Sequence, residues 1–594
     1  MRDGGCSSWG ELPPPAGLRR GRQCVLALRR ICVDLRTIRL QLCTLPIGPP
    51  PRGYPSYGGP VSLVRHTYTR RTILQRAASM GAGLALTSCP GGRWLASAPA
   101  VVPAPASRPQ LPSGVQSGDM LDGRTIVWSR TDRPAQMQVE WSTSPDLRRA
   151  TRVAGPRALV DSDFTARLEL RDLPAGEEIF YRVQFSSLLD AGTLSEPLAG
   201  RFRTPPANRR NVCFCFSGDE VGQGWGINPE WGGLRLYETM RSASPDFFVH
   251  SGDQIYADIP LQEEVTLDGG TRWRNLVTPA KAKVAETLDE FRGNFAYNLM
   301  DEHKRRFLSQ VPVLVQWDDH EVKNNWFPGQ PIDGDPRYRV ANASLLAERA
   351  RQAMFEYNPF RLEGSQATRI YRSFAYGPSL EVFLLDERSY RGPNGPNRER
   401  QLGDTSAFLG RRQLEWLKHA LLRSSATWKL IASDMPLSLV VPDLNPYVPT
   451  GWYEAWANGD SGGPLGRELE IAELLGFVQR HGIHNIVWIT ADVHYASAIH
   501  YHADRARFGP FPPFWEFVAG PIHAGTFGPN ELDATFGPQI RFQSVSRGMP
   551  PNRPPSEGLQ FFGLGEIDGA TEVLSVSLRD LSGAVLFAVN LEPV

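Results

Sequence analysis

Six times after Pro206 the chain runs a short apolar, β-branched stretch straight into an acid or a histidine. VCFCFSGD closes on Asp219, PDFFVHSGD on Asp253, VPVLVQWDDH on Asp319 and His320, LEVFLLD on Asp386, WKLIASD on Asp434, and HNIVWITADVH on Asp492 and His494. Between them lie helical patterns such as RRQLEWLKHALLRS and RELEIAELLGFVQRHG. Apolar runs of this kind are strands buried on both faces, and strands alternating with helices build a layered α/β domain. One acid at a strand end is usually a turn or a helix cap. Six of them gather negative charge, which is costly unless cations neutralise it. Oxygen and imidazole donors without thiolate suit Ca, Mn, Mg, Zn or Fe.

Charge and cysteine usage narrow the partners. The chain has 594 residues and a formal net charge of +1. Residues 1–63 hold nine Arg and no Lys against three acids, so the remainder is mildly acidic and has no basic cluster. That argues against a nucleic-acid scaffold. Cys213 and Cys215 share one strand, two residues apart, so no disulfide framework is expected.

The N-terminal third divides by composition. Residues 1–63 are expected to be a non-structural upstream extension, with translation starting near Val61 or Val64. In the 64–98 region, Arg70 and Arg71 precede a Gly/Ala-rich apolar segment too short to span a bilayer, the pattern of a twin-arginine export signal. Export folded to the periplasm, the cell surface or the medium follows, with cleavage after Ala98 or lipidation at Cys89. Residues 99–112 read as a Pro/Ala linker, and no later stretch is long and apolar enough for a transmembrane helix. From 113 to 206, TIVWSR, MQVEWST, TARLELRDL and IFYRVQF are short strand patterns between Asp, Pro and Gly, as in an all-β sandwich of fibronectin III or immunoglobulin type. The α/β domain then occupies 207–594.

Taken together, Gly252-Asp253-Gln254-Ile255-Tyr256, Trp317-Asp318-Asp319-His320-Glu321 and Ala491-Asp492-Val493-His494 resemble the metal motifs of calcineurin-like metallophosphoesterases. More narrowly, the chain resembles the alkaline phosphatase D (PhoD) family; Gly114 to Asp119, Leu385 to Arg391 and the twin-arginine signal fit it too. The resemblance implies an α-β-β-α metallophosphoesterase domain and a monomeric hydrolase of small phosphate esters. Its nucleophile would be a metal-bridging hydroxide, and its ions iron and calcium, with Mn, Zn or Mg as alternatives. It implies Asp219, Asp253, Tyr256, Asp319, Asn325, Asp492 and His494 as metal ligands, Asp253 bridging and Tyr256 binding ferric iron as phenolate. His320 would act on the transferring phosphoryl group or serve as a supporting hydrogen bonder. Arg388 and Arg391 would hold phosphate or form structural ion pairs. Where the family commonly has Ser-Cys, this chain has Ser217-Gly218-Asp219, so a thiolate ligand is not expected there and Cys213 and Cys215 are core residues. The loop from Gly222 to Gly233 is expected either to cover the site or to pack as ordinary surface, and FWEFVAGPIHAGTFGPN to supply a wall. The competing readings are a phospholipase D-like phosphodiesterase acting on lipids and a non-catalytic secreted binding protein.

Overall fold

The computed structural model describes residues 107–594 except 333, 363–367 and 445–448. The extension, the signal region and most of the linker fall outside the described residues. Pro99–Val594 forms one compact unit.

Seven strands come first: β1 (Val115–Leu121), β2 (Arg124–Arg130), β3 (Ala135–Ser142), β4 (Thr151–Ala158), β5 (Thr165–Leu170), β6 (Glu178–Ser187) and β7 (Leu198–Arg203). β4-β3-β6-β7 form one sheet, and β1-β2-β5 face it across a core that includes Val127, Met137, Ile179 and Phe185. The second of these sheets does not stop at the module. β1 pairs in parallel with a strand of the α/β domain at Gly118↔Val313, so the two parts share one sheet. Gly118 permits that approach: a Cβ there would lie 2.3 Å from the Val313 carbonyl oxygen and 2.6 Å from the Pro359 ring. Next to it, Asp119 receives Arg372 Nη2 at 2.9 Å and the Arg361 backbone N–H at 2.7 Å, a second fastening.

The shared sheet has nine strands. Its centre is β8 (Val212–Ser217), β9 (Phe247–Ser251) and β12 (Val313–Gln316), all parallel; β10 (Glu264–Thr266) and β11 (Arg272–Arg274) form a separate hairpin. The second large sheet contains β13 (Arg372–Tyr376), β14 (Leu380–Leu384), β15 (Trp428–Ala432), β16 (Ile486–Thr490), β17 (Ser497–Tyr501), β18 (Phe514–Val518) and β19 (Pro538–Gln543), in the order β13-β14-β15-β16-β18-β17-β19. β20 (Phe561–Ile567), β21 (Leu574–Asp580) and β22 (Val585–Leu591) then return to the first sheet beside β8.

Side-chain parity explains the layering. Phe214, Phe216, Phe247, Val249 and Leu314 of the first sheet meet Val382, Leu384, Leu430, Ala432, Val487 and Ile489 of the second in one core. The alternate residues Cys215, Phe248, Val313 and Val315 face helices α1 (Leu236–Ser242), α2 (Leu288–Asn298), α3 (Glu302–Leu308) and α4 (Ala343–Tyr357). Phe383, Ile431 and Trp488 face α5 (Gly410–Arg423) and α6 (Glu468–His481). With both faces covered, period two gives continuous apolar strands in four layers, α-β-β-α. Cys215 is a core residue whose thiol burial pushes well up, as expected of a non-ligand. Among the described residues no helix is long and apolar enough to cross a membrane.

Candidate metal centre

The acids of the six runs stand beyond the carboxyl ends of β8, β9, β12, β14, β15 and β16, where parallel sheets place their ligands. The chain turns sharply there. Asp219, Asp253, Asn325, Asp492 and His494 all have positive φ, between 52° and 63°. Non-glycine residues pay for that conformation, and clusters of such strain mark functional sites. The approach is tight: at Gly252 (φ 95°) a Cβ would sit 2.6 Å from Asp318 Cβ. Glu321 knits two of the turns, accepting the backbone N–H groups of Gln254 at 2.6 Å, Asp318 at 2.8 Å and Asp253 at 3.2 Å.

Two carboxylate–imidazole groups and one group of carboxylates converge, each with its donor atoms within 4.8 Å of one another: Asp219, Asp253 and His494; Asp253, Asp319 and His320; Asp318, Asp319 and Asp492. Asp253 belongs to the first two. Tyr256 joins the first group, its hydroxyl donating to His494 Nε2 at 2.8 Å, while Asp219 Oδ1 lies 3.6 Å from the same nitrogen. His494 Nδ1–H donates to the Gly525 carbonyl, which leaves Nε2 as the acceptor. Asn325 Nδ2 donates to Asp443 Oδ1 at 2.9 Å, which fixes the amide by its nitrogen end.

Both Asp219 oxygens are buried and accept no hydrogen bond. A buried, unpartnered carboxylate is costly, by several kcal/mol on the usual scale, and a cation is what offsets it. Burial first, then mutual repulsion among Asp318, Asp319, Glu321 and Asp219, pushes the Asp253 carboxyl far above its ordinary range. Burial and the nearby Asp253 and Asp219 charges do the same to the Tyr256 phenol. The donor set therefore fits metal ions.

The two histidines diverge. Burial drives His494 down to about 4, so it is a neutral imidazole. Burial acts on His320 as well, but the charges of Asp258 and Asp319 outweigh it and lift His320 to about 9. His320 Nδ1 stands 2.7 Å from Asp258 Oδ1.

The structure does not bring Arg388 or Arg391 to the cleft. Arg388 is fully buried, its Nε 2.7 Å from Asp318 Oδ1 and its Nη1 2.8 Å from Glu454 Oε2. Asp318 converges with Asp319 and Asp492; its Oδ1 is taken by Arg388 and by the Asp319 N–H, and its Oδ2 is buried without a hydrogen-bond partner. Through Oδ1 it anchors the arginine, and Oδ2 is left for a cation. Asp258, Glu321, Glu454 and Asp443 went unassigned in the sequence. Glu321 closes the quoted Trp317–Glu321 motif and Asp258 lies two residues past Tyr256, and their roles appear only in space.

Above the acids opens a cleft of about 360 Å³. Val441, Pro442, Leu444, Phe527 and Pro529 make an apolar wall; Gln223, Asn324 and Asn530 are its neutral polar groups, and no Lys or Arg lines it among the described residues. The loop from Gly222 to Gly233 contributes only Gln223 to this lining. Its Trp225 is buried, donating to Asn552 Oδ1 at 2.7 Å, and Trp231 packs on Trp273 and His523, so most of the loop is packed surface.

Comparisons with known proteins agree in direction. The family model of PhoD-like phosphatase matches residues 215–578, and that of the PhoD-like phosphatase N-terminal domain matches residues 96–206. Alkaline phosphatase D of Bacillus subtilis (strain 168) is 26% identical over 529 residues, 82% of each chain. A solved structure of PhoD superposes with a TM-score of 0.60 at 21% identity, over 83% of this chain and 90% of its own, a likeness of fold.

Proposed function

Because the chain belongs to the PhoD-like phosphatase family, and so is a metal-dependent phosphoric ester hydrolase, we propose that the Asp253 cluster is its catalytic centre and that it cleaves phosphate mono- and diesters outside the cytoplasm. The observation that carries this reading is that Asp253 converges with Asp219 and His494 on one side and with Asp319 on the other, so it would be the carboxylate common to two cation sites. Asp219, Asp253, Tyr256 and His494 would hold one ion, and the phenol, imidazole and carboxylates suit iron. Asp253, Asp319, Asn325 and Asp492 would hold another, and an all-oxygen set suits calcium. Bound there, such ions acidify water into a nucleophile and neutralise phosphoryl charge.

The chain's own groups supply the rest. Asp258 holds His320 by Nδ1 and keeps it protonated, so that Nε2–H is available to stabilise the phosphoryl oxygens or to protonate the leaving oxygen. His494 stays neutral, with Nε2 directed at Asp219 and Tyr256. The wall of Leu444, Phe527 and Pro529 receives the organic group and sheds water around it. The apolar wall suits an ester of an apolar alcohol, which supports the lipid phosphodiester as the second reading. The strand orders β1-β2-β5 and β4-β3-β6-β7 support a fibronectin III-type N-terminal module, a spacer rather than a binding device.

The test is hydrolysis of p-nitrophenyl phosphate and its bis-ester by the metal-analysed protein. Asp253→Asn should lower bound metal and cut turnover by more than the roughly 10–100-fold that loss of a merely supporting residue costs. Full activity at unchanged metal content would remove the reading. Export rests on the Arg70-Arg71 signal. Replacing both by Lys should hold the precursor in the cytoplasm, and undiminished export would refute that part.

A further inference from the structure

Of the loop from Gly222 to Gly233, Gln223 alone lines the cleft above the acids. Its backbone stands at φ 60°, in the left-handed region, between Gly222 and Gly224. Both flanks are fixed. A Cβ at Gly222 would collide with the Tyr256 ring, so the chain is pressed onto that side chain. The Gln223 carbonyl accepts Asn552 Nδ2 at 2.9 Å, and Asn552 Oδ1 accepts the Trp225 indole N–H at 2.7 Å. The loop thus holds Gln223 in a conformation that costs any residue with a side chain and that glycine adopts freely.

The fold makes no use of the side chain in return. Gln223 is half-buried, and its amide bonds to no described residue. Asn530 in the same lining donates its Nδ2 to the Val440 carbonyl at 3.0 Å, and Asn325 donates to Asp443. A strained backbone that brings an uncommitted polar side chain to a cleft is the pattern of a functional position. No Lys or Arg lines this cleft among the described residues, so a phosphoryl group there finds its side-chain donors in His320 and in neutral amides. Neutrality has a reason: a lysine or arginine on this wall would pair with the acids, as Arg388 does with Asp318, whereas an amide donates two N–H groups and leaves the carboxylates to the cations. We infer that Gln223 is a further catalytic residue, its Nε2–H donating to a non-bridging oxygen of the transferring phosphoryl group; this rests on the Asp253 cluster being the catalytic centre. It acts from the loop wall and His320 from the end of β12, as two donors on one charge.

Stability and turnover should part company in Gln223→Gly. Glycine relieves the backbone, so Tm stays or rises and bound metal is unchanged. The kcat/KM for bis(p-nitrophenyl) phosphate falls by at least about tenfold, a removed donor of this kind costing roughly 10²–10³ in rate. A structural role predicts the reverse, a lower Tm with activity following it. Gln223→Glu keeps the shape but turns a negative acceptor towards the phosphoryl oxygens, and it should lose at least as much at the same metal content. Vanadate, which takes the five-coordinate geometry of the transferring phosphoryl group, should inhibit both variants more weakly than the native protein by a similar factor. A smaller fall in Gln223→Gly, a fall matched by loss of metal, or undiminished vanadate inhibition overturns the proposal. A native protein that hydrolyses no ester defeats the catalytic reading and this inference with it. An active native protein with an equally active Gln223→Gly variant defeats this inference alone.

Discussion

His320 and His494 are the same side chain in one cleft, with opposite protonation. Burial lowers both. Around His494 the main compensation is a neutral carbonyl, that of Gly525, and the imidazole stays at about 4. Around His320 two carboxylates win, and it rises to about 9. Groups whose environments separate them in this way take different jobs, which in the proposed reading are ligand and acid. Asp258→Asn keeps the hydrogen bond but removes the largest favourable charge. The His320 pKa then falls, its proton leaves at lower pH, and the alkaline limb of kcat for an alkyl ester should move down by roughly 1–2 units, the usual effect of one adjacent charge. A pH profile that stays in place would mean the limb reports some other group. At this scale the convergence of acids and histidines was legible, because the runs ending in Asp219, Asp253, Asp319, Asp492 and His494 hold more polar groups than turns require. Asp258 was not, since nothing in a one-dimensional string says that it faces His320. Arg388 and Arg391 sat beside an acid motif, but burial against Asp318 and Glu454 is a property of the packed sheets.

The strands were easy to read and their turns were not. Continuous apolar runs need cover on both faces, so β8, β9, β12, β14, β15 and β16 announced themselves and a layered α/β domain, whereas the four-layer arrangement came only from the family resemblance. The left-handed backbone at Asp219, Asp253, Asn325, Asp492 and His494 has no comparable signature, because none of these residues is glycine. The junction of β1 with β12 was equally silent: a single parallel pair between distant segments leaves no periodic trace. That junction is sensitive at one residue. Gly118→Val would push a side chain into the Val313 carbonyl and Pro359 and should destabilise the protein by about 1–3 kcal/mol, the usual cost of overpacking. Thermal unfolding of the purified variant measures it, and an unchanged Tm would mean the two strands do not approach this closely in solution.

On the scale of the whole molecule, the N-terminal module supplies three of the nine strands of the shared sheet. Alternating strand patterns between 113 and 206 made the module visible, whereas the partner of its free edge lies in another part of the chain. This shared sheet has a consequence in time. A ribosome releases β1 about two hundred residues before β12, which at ~5–20 residues per second is roughly 10–40 s. Throughout that interval one side of β1 has no strand to pair with, and an unpaired edge is a template for any neighbouring nascent chain. Crowded polysomes should therefore be where this protein aggregates, and a holdase that shields the first hundred residues of the module is the helper it needs most.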